Sequence, residues 1–294
     1  MHLPEDWAGA IDEVAETLPR RVLVLGATDT GKSTFIGMML RRLLKEGVAC
    51  SLVDSDPGQK HVGPPASVTS AEYRYLYELR LERMANMYFV GSTSPRGHML
   101  HLAVGTLKLA SQAGGRVTAV NTSGYVRDAG LYLKGAKIEL LEPEMIVGIE
   151  RGAELEPLAS AYSHFTWVRL KVPEVVREKA PEERRAARRE RFRRYFANAR
   201  VVEAELSELR LQRGSKVLRH MLVGVADGRG RTLGLGIVED MRGSMVRLLT
   251  PVREEVQVLQ LGSLLVSRSG EELGRVPRGR GGARGEEGAQ ESRV

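Results

Sequence analysis

The chain has 294 residues, 42% hydrophobic and 28% charged, with a formal net charge of +7. That is ordinary for a globular protein with one large domain or two modest ones, and compatible with a polyanionic partner. A single cysteine, Cys50, excludes an intrachain disulfide and a multi-cysteine zinc site. It lies in a predicted strand, where a small buried hydrophobe fits better than a reactive thiol. No apolar run is long enough to span a bilayer, and Met1-His2-Leu3-Pro4-Glu5-Asp6 lacks the basic-then-apolar order of a secretory leader. A cytoplasmic protein with no membrane partner is expected.

Residues 7–18 have the apolar spacing of a short amphipathic helix. Val22-Leu23-Val24-Leu25 then reads as a strand, and Phe35 to about Lys45 as a helix ended by Glu46-Gly47. Between them stands Gly26-Ala27-Thr28-Asp29-Thr30-Gly31-Lys32-Ser33-Thr34. Strand, glycine-rich loop and helix in that order make G-x-x-x-x-G-K-[ST] a phosphate-binding loop. Its N–H groups and the helix dipole face a polyphosphate, Lys32 reaches the β- and γ-phosphates, and the Ser33 hydroxyl ligates Mg²⁺. The sequence therefore predicts a nucleoside triphosphate ligand.

Val48–Val53 is a buried strand that ends in Asp54-Ser55-Asp56-Pro57-Gly58-Gln59. Acidic residues at the C-terminal end of a parallel strand lie where open α/β sheets place ligands. Asp54 and Asp56 alternate across the strand end, so both need not face a metal. One division gives Asp56 the reacting hydroxyl or the Mg²⁺ shell and gives Asp54 a supporting role; the bland reading is a turn before Pro57-Gly58.

Met87–Val90 reads as the next strand, closing on Gly91-Ser92-Thr93-Ser94-Pro95-Arg96-Gly97-His98, with a helix from His98 to about Ser111. Arg96 is placed to meet phosphate; His98 fits a helix-start cap or surface residue better than a base. Residues 116–120 form a further strand ending in Asn121-Thr122-Ser123-Gly124-Tyr125, where Tyr125 fits either a stacking surface or a buried ring. A helix over 131–141 and strands over 145–149 and 165–170 complete an alternation that implies a parallel, doubly wound sheet.

Nine Arg or Lys residues fall between Arg177 and Arg194, in a segment predicted to be helical after Pro181. Arg185 and Arg189 share one face, as do Arg184 and Arg188. Either pair suits a lid that closes over a triphosphate and stabilises charge on the transferring phosphoryl group; the alternative is a solvated charged helix. Beyond Val202, short alternating segments with turns at Asp227-Gly228 and Arg242-Gly243 read as antiparallel β structure.

Together, Gly26–Thr34, Asp54–Gln59, Gly91–Pro95, Asn121–Tyr125 and the Arg185/Arg189 lid resemble the polynucleotide 5′-hydroxyl kinase family. That family comprises RNA kinases of pre-mRNA cleavage, tRNA splicing and ribosomal RNA processing, with smaller archaeal relatives. The resemblance implies a P-loop NTPase α/β fold: a doubly wound, mostly parallel sheet with an Arg-rich helical lid, then a small β-rich C-terminal domain. With the residue patterns above, the chain is expected to divide into an N-terminal helix (1–20), a kinase domain (21–200, lid 174–200), a β-rich domain (201–276) and an Arg/Gly-rich disordered tail (277–294).

The implied activity is transfer of the γ-phosphate of ATP or GTP, with Mg²⁺, to the 5′-hydroxyl end of RNA or DNA. By resemblance Lys32, Asp56, Arg185 and Arg189 are catalytic, and Ser33, Asp54 and Asp56 serve the metal. Asp54, Gln59, Ser94 and Arg96 meet the substrate, while the loop Gly26–Thr34 with Thr122, Ser123 and Tyr125 clasps the nucleotide. No protein partner is carried over. The competing reading is a nucleotide-switched RNA-processing assembly protein with little or no kinase activity.

Overall fold

The computed structural model describes residues 4–276; the tail expected to be disordered, 277–294, lies outside them. The first half of the chain runs α1 (Glu5–Thr17), β1 (Arg21–Gly26), α2 (Lys32–Lys45), β2 (Cys50–Ser55), β3 (Ser67–Tyr73), β4 (Asn86–Phe89), α3 (Met99–Gln112), β5 (Val117–Thr122), α4 (Ala129–Leu141), β6 (Met145–Glu150), α5 (Glu156–Ala161) and β7 (Trp167–Lys171). Its strands form one sheet in the order β4-β3-β2-β5-β1-β6-β7. The five strands from β2 to β7 along that order are parallel. They are apolar runs because helices cover both faces. Trp7, Phe35 and Met39 of α1 and α2 pack on one side, and Leu102, Leu109, Leu133 and Ile138 of α3 and α4 on the other.

One expectation changes here. The strand near 87–90 is entered from β3, and β3 and β4 run antiparallel to their neighbours. β3 escapes sequence reading because it is Ser-Val-Thr-Ser-Ala-Glu-Tyr, with no apolar alternation. Two of its buried hydroxyls bond locally, Ser67 Oγ donating to the Pro64 carbonyl and Thr69 Oγ1 to that of Val62, while Ser70 Oγ is buried with no partner among the described residues.

The second half opens with α6 (Pro181–Tyr195), followed by β8 (Arg200–Glu205), β9 (Arg210–Gln212), β10 (Met221–Ala226), β11 (Thr232–Arg242), β12 (Met245–Thr250), β13 (Val258–Val266) and β14 (Glu272–Arg275). These strands make a second sheet, β14-β13-β10-β11-β12-β8, with β9 added beside β13. All pairings are antiparallel except β9 with β13.

The two sheets share a core. Phe89 of β4 meets Gly224 and Gly262, where a Cβ would approach its ring to 2.8 and 2.9 Å, and Phe192 and Phe196 of the lid segment join the same cluster. His98, read as a cap or surface residue, binds across this junction through Nε2 to Ser263 Oγ at 2.8 Å. Cys50 is buried and its thiol is pushed up to about 12 by burial. Among the described residues no helix is long and apolar enough to cross a membrane.

Candidate active site

The phosphate loop joins β1 to α2 at the C-terminal edge of the parallel strands. Gly31 caps α2 at φ +88°, and a Cβ there would sit 2.8 Å from the Trp7 ring, so only glycine suits the position. Lys32 is buried, and its ammonium donates to the carbonyls of Gly26 (3.1 Å) and Ala27 (2.5 Å). Burial lowers its pKa to about 8 despite the opposing pull of Asp56 and Asp29. Thr28 to Thr34 line the cavity in front of the loop. Arg151, which sequence reading passed over, follows β6 and donates to the Thr28 and Asp29 carbonyls at 3.4 and 2.8 Å. Its only sequence signal is a basic residue at the end of a strand.

Asp54 and Asp56 part company at the end of β2. Asp54 is fully buried and turned away from the cleft. Its carboxylate accepts N–H bonds from His61 (2.6 Å), Val62 (3.4 Å) and Asp56 (3.3 Å), and one from Asn121 Nδ2 (3.1 Å). Lys60 Nζ stands 3.6 Å from Asp54 Oδ2. Burial pushes the Asp54 carboxyl up, but Lys60, His61 and these bonds outweigh it and hold the group below the usual carboxylate range. Asp54 thus lines neither cavity, which corrects the substrate contact expected of it and leaves it the supporting place beside Asn121 and Asp56.

Asp56 behaves differently. Its Oδ1 accepts the N–H groups of Gly58 (2.8 Å) and Gln59 (2.9 Å), the turn that the bland reading foresaw, and the residue also lines the cleft. Burial holds its pKa above the ordinary aspartate value against those two hydrogen bonds, and the Asp54 charge adds to the rise.

Two cavities meet at Asp56. One holds the phosphate loop. The other is lined by Gln59, Ser94, Arg96, Ser123 and Tyr125. The Arg96 guanidinium lies 5.2 Å over the Tyr125 ring, joining the segments after β4 and β5. Gly124 presses on the phosphate loop so closely that a Cβ would meet Thr28 Oγ1 at 2.2 Å. Thr122 does not reach the cleft; its hydroxyl donates to the Val24 carbonyl at 2.8 Å.

The lid helix α6 lies over both cavities, in the register one residue from Arg185/Arg189. Arg184 and Arg188 line the cleft, with side chains 27% and 17% exposed, while Arg185 and Arg189 face solvent. Arg184 bonds Asp29 of the phosphate loop at 3.0 Å and Arg188 pairs with Glu272. Phe192 sets this phase: it is fully buried against the second sheet, and Arg188 precedes it by one turn.

Residues 26–198 match the family described as mRNA cleavage and polyadenylation factor CLP1 P-loop. The chain belongs to this family. A polyribonucleotide 5′-hydroxyl-kinase of Pyrococcus abyssi is 28% identical to it across 94% of this chain and 96% of that protein. One from Thermococcus kodakarensis is 30% identical, covering 92% and 95% respectively. The polyribonucleotide 5′-hydroxyl-kinase Clp1 of Xenopus tropicalis is 26% identical over 65% of this chain but only 48% of its own length. In three dimensions the chain resembles Clp1p from a Clp1p–Pcf11p complex, with a TM-score of 0.69 at 14% identity, covering 88% of this chain and 79% of that one. Membership of a P-loop family implies nucleotide binding.

In this CLP1 P-loop member three further residues belong to the site or support it, none of them given a role by the sequence reading. Lys134 and Lys137 of α4 are 1% exposed. Lys134 donates to the Ser123 carbonyl at 2.8 Å, and Lys137 to Ser55 Oγ, which also bonds Thr106. Their i,i+3 spacing beside Leu133, Ile138 and Leu141 was the available signal, since it places them on the apolar face. The third is Asn121, at the end of β5 next to β1; its Oδ1 is buried without a hydrogen-bond partner among the described residues. With the Ser33 hydroxyl and Asp56, it makes an oxygen-donor set suited to Mg²⁺, which keeps waters and takes phosphate oxygens instead of a cage of side chains. No cluster of three His, Cys, Asp or Glu that could hold a metal occurs among the described residues.

Lys137 carries a measurable cost. Burial lowers its pKa from 10.5 to about 7, with Asp56 pulling the other way. Between those values the unfolded chain binds the extra proton, so stability rises with pH across about 7 to 10.5 and is lowest below it. Lys137→Met should therefore raise the stability at neutral pH by on the order of a few kcal/mol and lessen that rise, to which Lys134, also buried and lowered, still contributes. Thermal unfolding at pH 7 and 9 measures it; an unchanged pH slope would mean that Lys137 is not among the buried titrating groups.

Proposed function

We propose that the chain is a polynucleotide 5′-hydroxyl kinase that moves the γ-phosphate of ATP or GTP to a 5′-hydroxyl end, with residues 21–200 as the catalytic unit and 201–276 as a second, β-rich one. The observation that carries this reading is that Asp56, Gln59, Arg184 and Arg188 border both cavities at once. A triphosphate on the phosphate loop and a hydroxyl in the neighbouring cavity would meet at Asp56. The full-length likeness to archaeal proteins named polyribonucleotide 5′-hydroxyl-kinases supports RNA as an acceptor.

In this reading Lys32 and the loop N–H groups hold the β- and γ-phosphates. Ser33, Asp56 and Asn121 would hold Mg²⁺, which neutralises charge on the phosphates when bound. Asp56 takes the proton of the 5′-hydroxyl as its oxygen bonds to the γ-phosphorus. The bond from that phosphorus to the β–γ bridging oxygen breaks, and a nucleoside diphosphate leaves. The raised pKa of Asp56 suits an acceptor of that proton. Arg184 and Arg188 stabilise the charge that spreads over the transferring group. Gln59, Ser94 and Arg96 orient the acceptor, and Ser123 and Tyr125 close against the loop.

The test is whether NTP consumption depends on the chemistry of the RNA end. Consumption that follows 5′-hydroxyl ends and ignores 5′-phosphate ends supports the kinase. Consumption indifferent to both would favour a nucleotide-switched assembly protein.

A further inference from the structure

The segment between β3 and β4 presents a surface that phosphoryl transfer does not use. Leu76–Arg80 form a 3-10 turn from which Tyr75 and Tyr77 project, 59% and 61% exposed. Their rings are parallel to within 7° with centroids 5.8 Å apart. The turn is built to hold them there. The Glu78 carboxylate accepts the N–H groups of Arg74 (2.5 Å) and Tyr75 (3.0 Å), and Leu79 packs against the core beside α2.

The charges around the pair are unequal in availability. Glu78 is committed to the backbone, and Glu82 pairs with Arg191 of the lid helix at 3.5 Å. Arg74, Arg80 and Arg83 are exposed and make no ion pair within 4 Å among the described residues. The surface thus offers aromatic faces surrounded by guanidinium groups. Bases stack on the former, and phosphates are drawn to the latter; this is the chemistry of single-stranded nucleic acid. Beside the patch, Leu79 and Glu82 line a cavity together with Ser33, Thr34 and His61, on the phosphate-loop side of the cleft.

We propose that Tyr75 and Tyr77, with Arg74, Arg80 and Arg83, hold the body of the single-stranded polynucleotide whose 5′ end enters the cleft. This rests on the kinase reading above for the position of that end, but the binding itself is testable without it.

Two variants of the full chain test it: Tyr75→Ala with Tyr77→Ala, and Arg74→Gln with Arg80→Gln and Arg83→Gln. Each is compared with the unaltered protein on a 5′-hydroxyl RNA dinucleotide and on a 20-mer. The expected result is a KM for the 20-mer raised roughly 10-fold or more, in line with stacking energies, with kcat and the dinucleotide KM unmoved. The arginine variant should also bind with a shallower salt dependence. A 20-mer KM within about 2-fold of the unaltered protein, or an equal loss on the dinucleotide, overturns the proposal, since lost stacking is worth more than that.

Anisotropy of a labelled 5′-phosphate 20-mer, which cannot accept phosphate, reads binding separately. If no RNA is ever phosphorylated but the variants still lose this binding, the kinase reading fails and the patch stands. If the variants bind as the unaltered protein does, nucleic acid is not its ligand, and the exposed tyrosines serve a protein partner instead.

Discussion

Replacing Asp56 with Asn should cut phosphoryl transfer by at least about 100-fold, the scale of a lost charge-stabilising or proton-accepting group. The substitution is a clean one because the amide oxygen can still accept the Gly58 and Gln59 N–H groups that Oδ1 now holds, so the turn survives. What disappears is the carboxylate. Lys32→Ala should lose as much by a different route, since it removes the ammonium that lies against the Gly26 and Ala27 carbonyls within reach of the phosphates. Nucleotide affinity separates the two: the Lys32 variant should bind NTP more weakly, and the Asp56 variant should retain most of its affinity. Near-normal transfer by Asp56→Asn would remove that residue from the chemistry.

The lid supplies the second large effect. Arg184→Ala with Arg188→Ala should lower kcat by about 100-fold or more, on the scale of catalytic arginines, while changing nucleic-acid affinity much less. Arg185→Ala with Arg189→Ala, one residue away on the same helix, should leave kcat within about 3-fold, as for surface groups outside the reacting centre. The paired design controls for net charge, because each variant loses two arginines from α6. Equal losses in the two double variants would make α6 a general binding patch and not a lid. Stability should change little in either, because α6 is fixed by Phe192 and Phe196 in the core shared with the second sheet.

What the sequence made legible follows from how local each feature is. The phosphate loop is contiguous, so Gly26 to Thr34 could be read directly, and the parallel strands declare themselves because burial on both faces makes them apolar throughout. Asp56 was legible as chemistry, but its separation from Asp54 was not. That depends on Lys60, His61 and Asn121 converging from a loop and a neighbouring strand. The lid's register was equally hidden. Helical spacing offers Arg184/Arg188 and Arg185/Arg189 alike, and the choice is made by Phe192 docking on a sheet formed later in the chain. Lys134 and Lys137 share the apolar face of α4 by spacing, but the sequence does not show that their ammonium groups find the Ser123 carbonyl and Ser55 Oγ. β3 was missed because Ser-Val-Thr-Ser-Ala-Glu-Tyr leaves no hydrophobic pattern to read, and the local bonds that hold Ser67 and Thr69 are not visible in it.

The central claim is that the cleft joins a triphosphate to a 5′-hydroxyl end. It is tested most directly by following the γ-phosphate itself. γ-labelled ATP and Mg²⁺ are incubated with oligonucleotides bearing either a 5′-hydroxyl or a 5′-phosphate, each as RNA and as DNA. The expected result is label on 5′-hydroxyl ends alone, abolished by Asp56→Asn. Label released only as inorganic phosphate, or no transfer despite tight ATP binding, would contradict it.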